Sequence, residues 1–348
     1  MRFHFLKLYD MNLLYEGFKK VRKASGWKDS VQKLEVNALS ELAKLSEGLK
    51  NGTYKISAGS EFFISERGKT RRIHSGAVRD KVVQHALCDF FVNPAIEKYL
   101  YTGNSASRKG LGVTHARKRI EKALHNHYLH YGTNKGYVAV IDFSKFYDSI
   151  PHDKVLQMFE PIIDKDAFEI FRMILESFEK NGEKKSVDIG DQLSQSIGVF
   201  YPTKVDNYVT CVRHHRDYGR YMDDMWILCR DKQYLQDTLR GVIRTAERLG
   251  LIINKRKTRI YKIGQWFTFL QRRYRLEENG RVAIKIKPSA VTRERRRLKK
   301  FRNLINEKIM KKEAVINCFK SWYGDNEKVL SKKQKENIIK TYEREVLR

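Results

Sequence analysis

The sequence predicts an α+β fold, and three features of its 348 residues carry that prediction. Long stretches with apolar residues three and four apart read as amphipathic helices. Short β-branched or aromatic runs bounded by turn residues read as strands. Between two such runs, Tyr218-Gly-Arg-Tyr-Met-Asp-Asp-Met-Trp-Ile-Leu228 reads as strand, tight turn, strand, with Asp223 and Asp224 side by side. Neighbouring side chains on a strand point to opposite faces, so both carboxylates serve one site only if they sit at the turn. Adjacent buried anions repel, and a divalent cation is the usual remedy. An exposed Asp-Asp turn is the plainer reading of the same letters.

Taken in order, residues 11–50 carry Leu13, Leu14, Phe18, Leu34, Leu39, Leu42, Leu45 and Leu49 at helical spacing and close at Asn51-Gly52, which predicts a helical hairpin. Glu61-Phe-Phe-Ile-Ser, a turn at Glu66-Arg67-Gly68 and Lys69-Thr-Arg71-Arg72-Ile73 predict a basic two-stranded hairpin. Val82, Val83, Ala86, Leu87, Phe90 and Phe91 mark a helix over 77–99 that ends near Pro94. A basic glycine loop, Ser107-Arg-Lys-Gly-Leu-Gly, leads into a helix from Thr114 to about Leu129, and its Arg108 and Lys109 suit a phosphate. Gly136-Tyr-Val-Ala-Val-Ile141 reads as a buried strand that delivers Asp142 at its end. Residues 154–180 are again helical. A loop from Ile189 enters a helix to about Val209, which Pro202 should kink or divide. A helix over 233–249 stops at Gly250, and short strands follow near 251, 255–260 and 266–270.

Composition bounds the partners. Lys and Arg total 70 against 41 Asp and Glu, a net charge of +29, which points to a polyanion. No apolar run of ~18 residues offers a membrane span, and the N-terminus has no signal-peptide pattern, so the expectation is a soluble, cytoplasmic chain without a membrane partner. Cys88, Cys211, Cys229 and Cys318 stand far apart, which argues against disulfides and a zinc knuckle. His125, His127 and His130 cluster, but a polar helix end is the blander account. Residues 288–348 hold 18 Lys or Arg against 8 Asp or Glu, which predicts a small basic helical unit on nucleic acid.

The motifs then fall into one order: the basic hairpin Lys69 to Ile73, Arg79-Asp-Lys-Val-Val-Gln-His-Ala-Leu, Asp142 with an aromatic five residues on, Ile189-Gly-x-x-x-Ser-Gln195, Tyr221-Met222-Asp223-Asp224, Asn254-x-x-Lys257-Thr, and Phe267-Thr-Phe-Leu. This series, over roughly residues 60–275, resembles the reverse transcriptases. The resemblance implies a right-hand polymerase with fingers at 1–135, a palm at 136–287 carrying a small antiparallel sheet, and a helical thumb at 288–348. It implies two Mg²⁺ ions held by Asp142, Asp223 and Asp224, with Asp148 structural. Phosphoryl transfer to a primer hydroxyl needs acids from two strands meeting at one point, and these three supply the count.

Further roles follow from the resemblance. Lys69 and Arg71, with Arg72 beside them, are the candidates for the incoming triphosphate, and Lys257 for neutralising or protonating the departing pyrophosphate, a role for which Lys255 is as plausible chemically. Tyr147 would exclude a ribose 2′-hydroxyl. Ile189, Gly190 and Gln195 would line the nascent base pair, and Tyr221 and Met222 complete the substrate set. The expected partners are an RNA template, a DNA or RNA primer and deoxynucleotides, with a structured non-coding RNA and an accessory protein subunit as further candidates. Ile-Gly-x-x-x-Ser-Gln, Val-Gln-His-Ala-Leu-Cys, Asp-Phe-Ser-Lys-Phe and Ser321-Trp-Tyr-Gly are similar to the error-prone reverse transcriptases of diversity-generating retroelements. Tyr201-Pro202 and Gly324-Asp325 depart from that pattern, and the antiviral-defence reverse transcriptases of bacteria are the alternative. A polymerase-fold scaffold is disfavoured by the intact acid triad, and an RNA-templated RNA polymerase by the bulk of Tyr147.

Overall fold

The computed structural model describes residues 7–66, 69–179 and 182–347. Its N-terminal part is helical: α1 (Met11–Ser25), α2 (Asp29–Val36) and α3 (Ala38–Lys50) replace the expected hairpin with three pieces. The reason is local. Gly26 caps α1 with its N–H on the Arg22 carbonyl, and Asn37 separates α2 from α3. Strands β1 (Ser60–Glu66) and β2 (Lys69–Ser75) form the expected antiparallel basic hairpin, in register from Ser60 opposite Ser75 to Glu66 opposite Lys69.

The helix expected over 77–99 is α4 (Val78–Leu87), a π-helical turn at Cys88–Val92, and α5 (Asn93–Glu97). Pro94 lies in the first turn of α5, directly after the π-helical turn, and the helical run continues through it to Glu97 instead of stopping there. Helix α6 (Val113–Tyr131) ends at Gly132 in the left-handed region. After β3 (Tyr137–Ile141) and β4 (Phe143–Ser144) come α7 (Phe146–Ser149), α8 (His152–Phe159) and α9 (Lys165–Glu176). Pro161 breaks the single helix expected at 154–180, and the Asp164 carboxylate restarts it by accepting from the N–H groups of Asp166 and Ala167. Pro202 divides α10 (Gln192–Phe200) from α11 (Thr203–Asn207), as its position predicts.

The hairpin β5 (Tyr218–Tyr221) and β6 (Asp224–Cys229) is followed by α12 (Lys232–Arg248), β7 (Ile252–Ile253), β8 (Arg259–Lys262) and β9 (Phe267–Phe269). Two strands go beyond those expected, β10 (Arg272–Leu276) and β11 (Val282–Ile286); in β10 the arginines of Arg-Arg-Tyr-Arg-Leu mask the alternation of Tyr274 and Leu276. The chain closes with α13 (Pro288–Asn306), α14 (Lys312–Asn326) and α15 (Lys332–Tyr342), which share a separate core around Leu298, Val315, Phe319 and Ile338.

The element that positions the chemistry is the four-stranded sheet β5-β6-β3-β8. Alternation along its two central strands feeds two cores. Ala139, Ile141, Met225 and Ile227 join the large core with α10 and α12, while Val138, Trp226 and Leu228 face α6 and the β9-β10-β11 sheet. Burial on both faces fixes the register, since a slip of one residue would exchange every side chain between the cores.

Candidate active site

In the hairpin β5-β6, Tyr221 pairs with Asp224, so Met222 and Asp223 are the two turn residues. Met222 has φ 54°, and Asp223 is not among the residues of positive φ. That is the pattern of a type II′ turn, whose first position normally asks for glycine. Methionine there holds strain of about 1–3 kcal/mol, of the kind that collects at functional sites. The turn puts Asp223 at the tip and Asp224 at the start of β6. Strand β3 pairs with β6 from Tyr137 opposite Cys229 to Ile141 opposite Met225, and one further step sets Asp142 opposite Asp224. The register therefore gathers Asp142, Asp223 and Asp224 at one end of the sheet, all three half-buried.

Asp142 is held from several sides. Lys257 Nζ donates to both of its carboxylate oxygens, at 2.8 and 2.7 Å, its N–H donates to Thr258 Oγ1, and its carbonyl accepts from the Asn254 N–H. The motif Asn254-x-x-Lys257-Thr thus folds into a turn that grips the first acid, with Asn254 Oδ1 accepting from the N–H groups of Arg256 and Lys257. Lys257 was expected at the pyrophosphate; here its ammonium rests on Asp142. The donor set of the three acids is oxygen only, which suits a hard cation such as Mg²⁺, and an ammonium already settled on Asp142 marks the place as one where positive charge is stable.

Behind the turn lies a contact that sequence reasoning missed. Arg220 and Asp206 form an ion pair with neither side chain exposed, Nε to Oδ1 at 2.8 Å and Nη2 to Oδ2 at 2.6 Å. The same guanidinium donates through Nη1 to the Met222 carbonyl and through Nη2 to the Val199 carbonyl, so it ties the turn to α10 and α11. Tyr218 Oη donates to Asp206 Oδ1 as well. Burial works against the charge on Arg220, yet Asp206 outweighs it and holds the guanidinium pKa above its ordinary value. Burial, and then the Asp206 charge, push the Tyr218 hydroxyl well above its ordinary range. Only the tertiary fold pairs residues 206 and 220, and an arginine inside Tyr-Gly-Arg-Tyr carries no mark of burial.

The remaining site residues surround the turn. Tyr147, on α7, is half-buried; its Oη lies 3.8 Å from Met222 Sδ, and its ring meets Phe146 edge-on. Gly198 of α10 lies beneath that ring, where a Cβ would come within 3.2 Å of Tyr147 Cε1 and Oη. The loop before α10 carries Ile189, half-buried, and Gly190, exposed with φ 108°, a conformation that only glycine adopts without strain. The Ile73 side chain of β2 faces Gly190, so the loop sits against the basic hairpin. Gln195 is half-buried on α10, and Tyr221 is half-buried at the end of β5. Lys69 and Arg71 are on β2, but their side chains lie outside the described residues. Arg72 is exposed and paired with Glu61.

One reading of the sequence is corrected here. Arg108 is not displayed for a phosphate: it is bound to Glu97 and to the carbonyls of Tyr101 and Asn104, and so fixes its own loop. That loop in turn edges β5, with the Arg220 N–H on the Gly103 carbonyl and the Ser105 N–H on the Arg220 carbonyl. His127 is buried within α6, against the Lys135 carbonyl, while His125 and His130 are exposed on the same helix.

Comparison with known proteins agrees with this geometry. The family model "Reverse transcriptase (RNA-dependent DNA polymerase)" matches residues 66–335, more than half of the chain. No curated protein matches the sequence. Among solved structures the chain is similar to telomerase from Candida albicans in complex with the TWJ fragment of telomeric RNA, at 10% identity and TM-score 0.52, covering 89% of this chain and 64% of that one. It is also similar to apo telomerase from Candida tropicalis truncated from its C-terminal domain, at 15% identity and TM-score 0.50, covering 68% of this chain and 58% of that one. The chain thus spans about three fifths of those telomerase chains, and the likeness to them is one of fold. On the family match, with its motifs spread over the sheet and hairpin described above, the chain belongs to the reverse transcriptase family.

Proposed function

We propose that the chain extends a primer with deoxynucleotides on an RNA template by phosphoryl transfer. The observation that carries this reading is the gathering of Asp142, Asp223 and Asp224 at one end of the β5-β6-β3-β8 sheet. Two Mg²⁺ ions, when bound by these acids, would activate the primer hydroxyl and stabilise the leaving pyrophosphate. The protein's own part is positional. Arg220 fixes the turn that carries Asp223, the turn at Asn254 fixes Asp142, and Lys257 moves from Asp142 toward the phosphates as they arrive. Lys69, Arg71 and Arg72 take the triphosphate from the basic hairpin, and Ile189, Gly190, Gln195, Tyr221 and Met222 shape the space for the new pair. Residues 1–135 act as fingers, 136–287 as palm and 288–348 as thumb.

Primer extension in Mg²⁺ on a defined RNA template tests the reading: full-length, RNA-dependent cDNA is expected, and its absence under conditions where the chain binds the primed RNA would overturn it. The finer assignment, to the error-prone diversity-generating type, is supported by Ile189 in Ile-Gly-x-x-x-Ser-Gln. Pocket groups of this size discriminate by only ~1–3 kcal/mol, so a small change there sets the error rate. Sequencing the cDNA decides it. An excess of errors opposite template adenines supports diversification, and errors spread evenly over the four bases support the defence type.

Two outcomes follow for named residues. Tyr147→Ala should admit ribonucleotides, because its ring stands beside Met222 of the turn and excludes the 2′-hydroxyl by overlap; unchanged discrimination would make Tyr147 a packing residue. Arg295 and Arg296 are exposed on α13, whereas Arg297 is paired with Glu294 and stacked on Phe301. Charge reversal at Arg295 and Arg296 should therefore lower the slope of log affinity against log salt by about 2, roughly one unit for each lost phosphate contact. A slope equal to the parent's would remove this face from the nucleic-acid surface.

A further inference from the structure

A second group of metal-ligating side chains shares no residue with the acid triad. His74 of β2, Asp188 of the loop before α10, and Asp191 at the N-terminus of α10 bring one donor atom each to within 4.8 Å of one another. The geometry points to a divalent transition-metal site, of the kind that takes Zn²⁺, which pins the basic hairpin to the loop carrying Ile189 and Gly190.

Three observations support it. His74 Nδ1 is 3.1 Å from Asp188 Oδ2, yet it is buried and makes no hydrogen bond there. Two donors that approach closely without hydrogen-bond alignment are placed as neighbouring ligands of one ion, which sit roughly 3–3.5 Å apart when each is ~2.1 Å from the metal. The opposite edge of the imidazole is closed off, since Gly59 packs so near Nε2 that a Cβ on it would lie 2.3 Å away. Nδ1 is therefore the nitrogen left to face the carboxylates.

The third observation is Asp191. Only 3% of the residue is exposed, it stands at the N-cap of α10 without capping it, and among the described residues no hydrogen bond reaches its carboxylate. A carboxylate so placed is costly unless a cation compensates it. Burial, and then the charge of Asp188, push its pKa up to about 6. Lys81 feels Asp191 electrostatically, but its ammonium donates to Ser75 Oγ at 2.8 Å. One imidazole and two carboxylates are a borderline donor set, better suited to Zn²⁺ than to Mg²⁺, which prefers oxygen alone. Three protein ligands leave a fourth position for water.

The test is calorimetric titration of the chelator-treated full chain with Zn²⁺ in excess Mg²⁺, which occupies the oxygen-only acids. One equivalent of Zn²⁺ is expected. His74→Ala and Asp191→Asn should each weaken it at least ~100-fold, since even outer-shell changes cost 10–100-fold, whereas Asp142→Asn should leave it unchanged. No stoichiometric Zn²⁺, insensitivity to both substitutions, or loss in Asp142→Asn overturns the site. A variant that retains a ligand guards against misfolding. His74→Cys loaded with Co²⁺ should gain a thiolate-to-cobalt charge-transfer band absent from the parent, and a folded His74→Cys protein without that band overturns the assignment of residue 74.

Discussion

Asp223→Asn or Asp142→Asn is expected to lower RNA-templated primer extension in Mg²⁺ by at least about a thousandfold while leaving affinity for primed RNA nearly unchanged. A metal ion that stabilises developing charge is worth several kcal/mol, and each ~1.4 kcal/mol is tenfold in rate, so the loss of one ligand reaches this range. On the proposed reading, affinity is expected to rest on phosphate contacts made by the many Lys and Arg residues elsewhere, which neither substitution touches. Asparagine keeps the shape of aspartate, so the turn at Met222 and the register of β3 on β6 should persist. In Asp142→Asn the Lys257 ammonium also loses its carboxylate, whereas Asp223→Asn does not disturb that pair. Similar rate losses in both variants therefore identify the shared metal site as the cause. Near-parental extension by Asp223→Asn would remove the turn from the chemistry.

The acids of this site were legible because their signal is local. Two aspartates at a hairpin turn and one at the end of a β-branched run keep their meaning without knowledge of the fold, and the register merely sets Asp142 opposite Asp224. The supports were not legible, because they are tertiary. Nothing near Asp206 announces that a strand will deliver Arg220 to it, and Gly198 gains its meaning only from Tyr147 packed above it. Helix boundaries failed for a related reason. Apolar periodicity continues through 154–180, but Pro161 and the capping Asp164 overrule it. Charge misled at Arg108, which looks displayed in a glycine loop and is instead consumed by Glu97 and two carbonyls.

Asp206→Ala is expected to cost about 3–5 kcal/mol of stability, a large part of the ~5–15 kcal/mol that holds a folded protein together. The variant strands the Arg220 guanidinium in a site with no exposure, leaves Tyr218 Oη only Met225 Sδ as an acceptor, and opens a cavity at α11. Chemical denaturation of the parent and the variant measures the loss. The role in positioning is separable from the role in stability. A double replacement by apolar residues, Asp206→Leu with Arg220→Met, removes both charges and should recover most of the stability, as exchange of a buried pair for packed side chains often does. It cannot restore the donor on the Met222 carbonyl or the one on Val199. The double variant should therefore fold nearly as well as the parent and still extend primers poorly, with the defect in the rate of extension and not in RNA binding. Full activity in a stable double variant would show that the turn holds its strained backbone unaided, and would reduce Arg220 to a stability element.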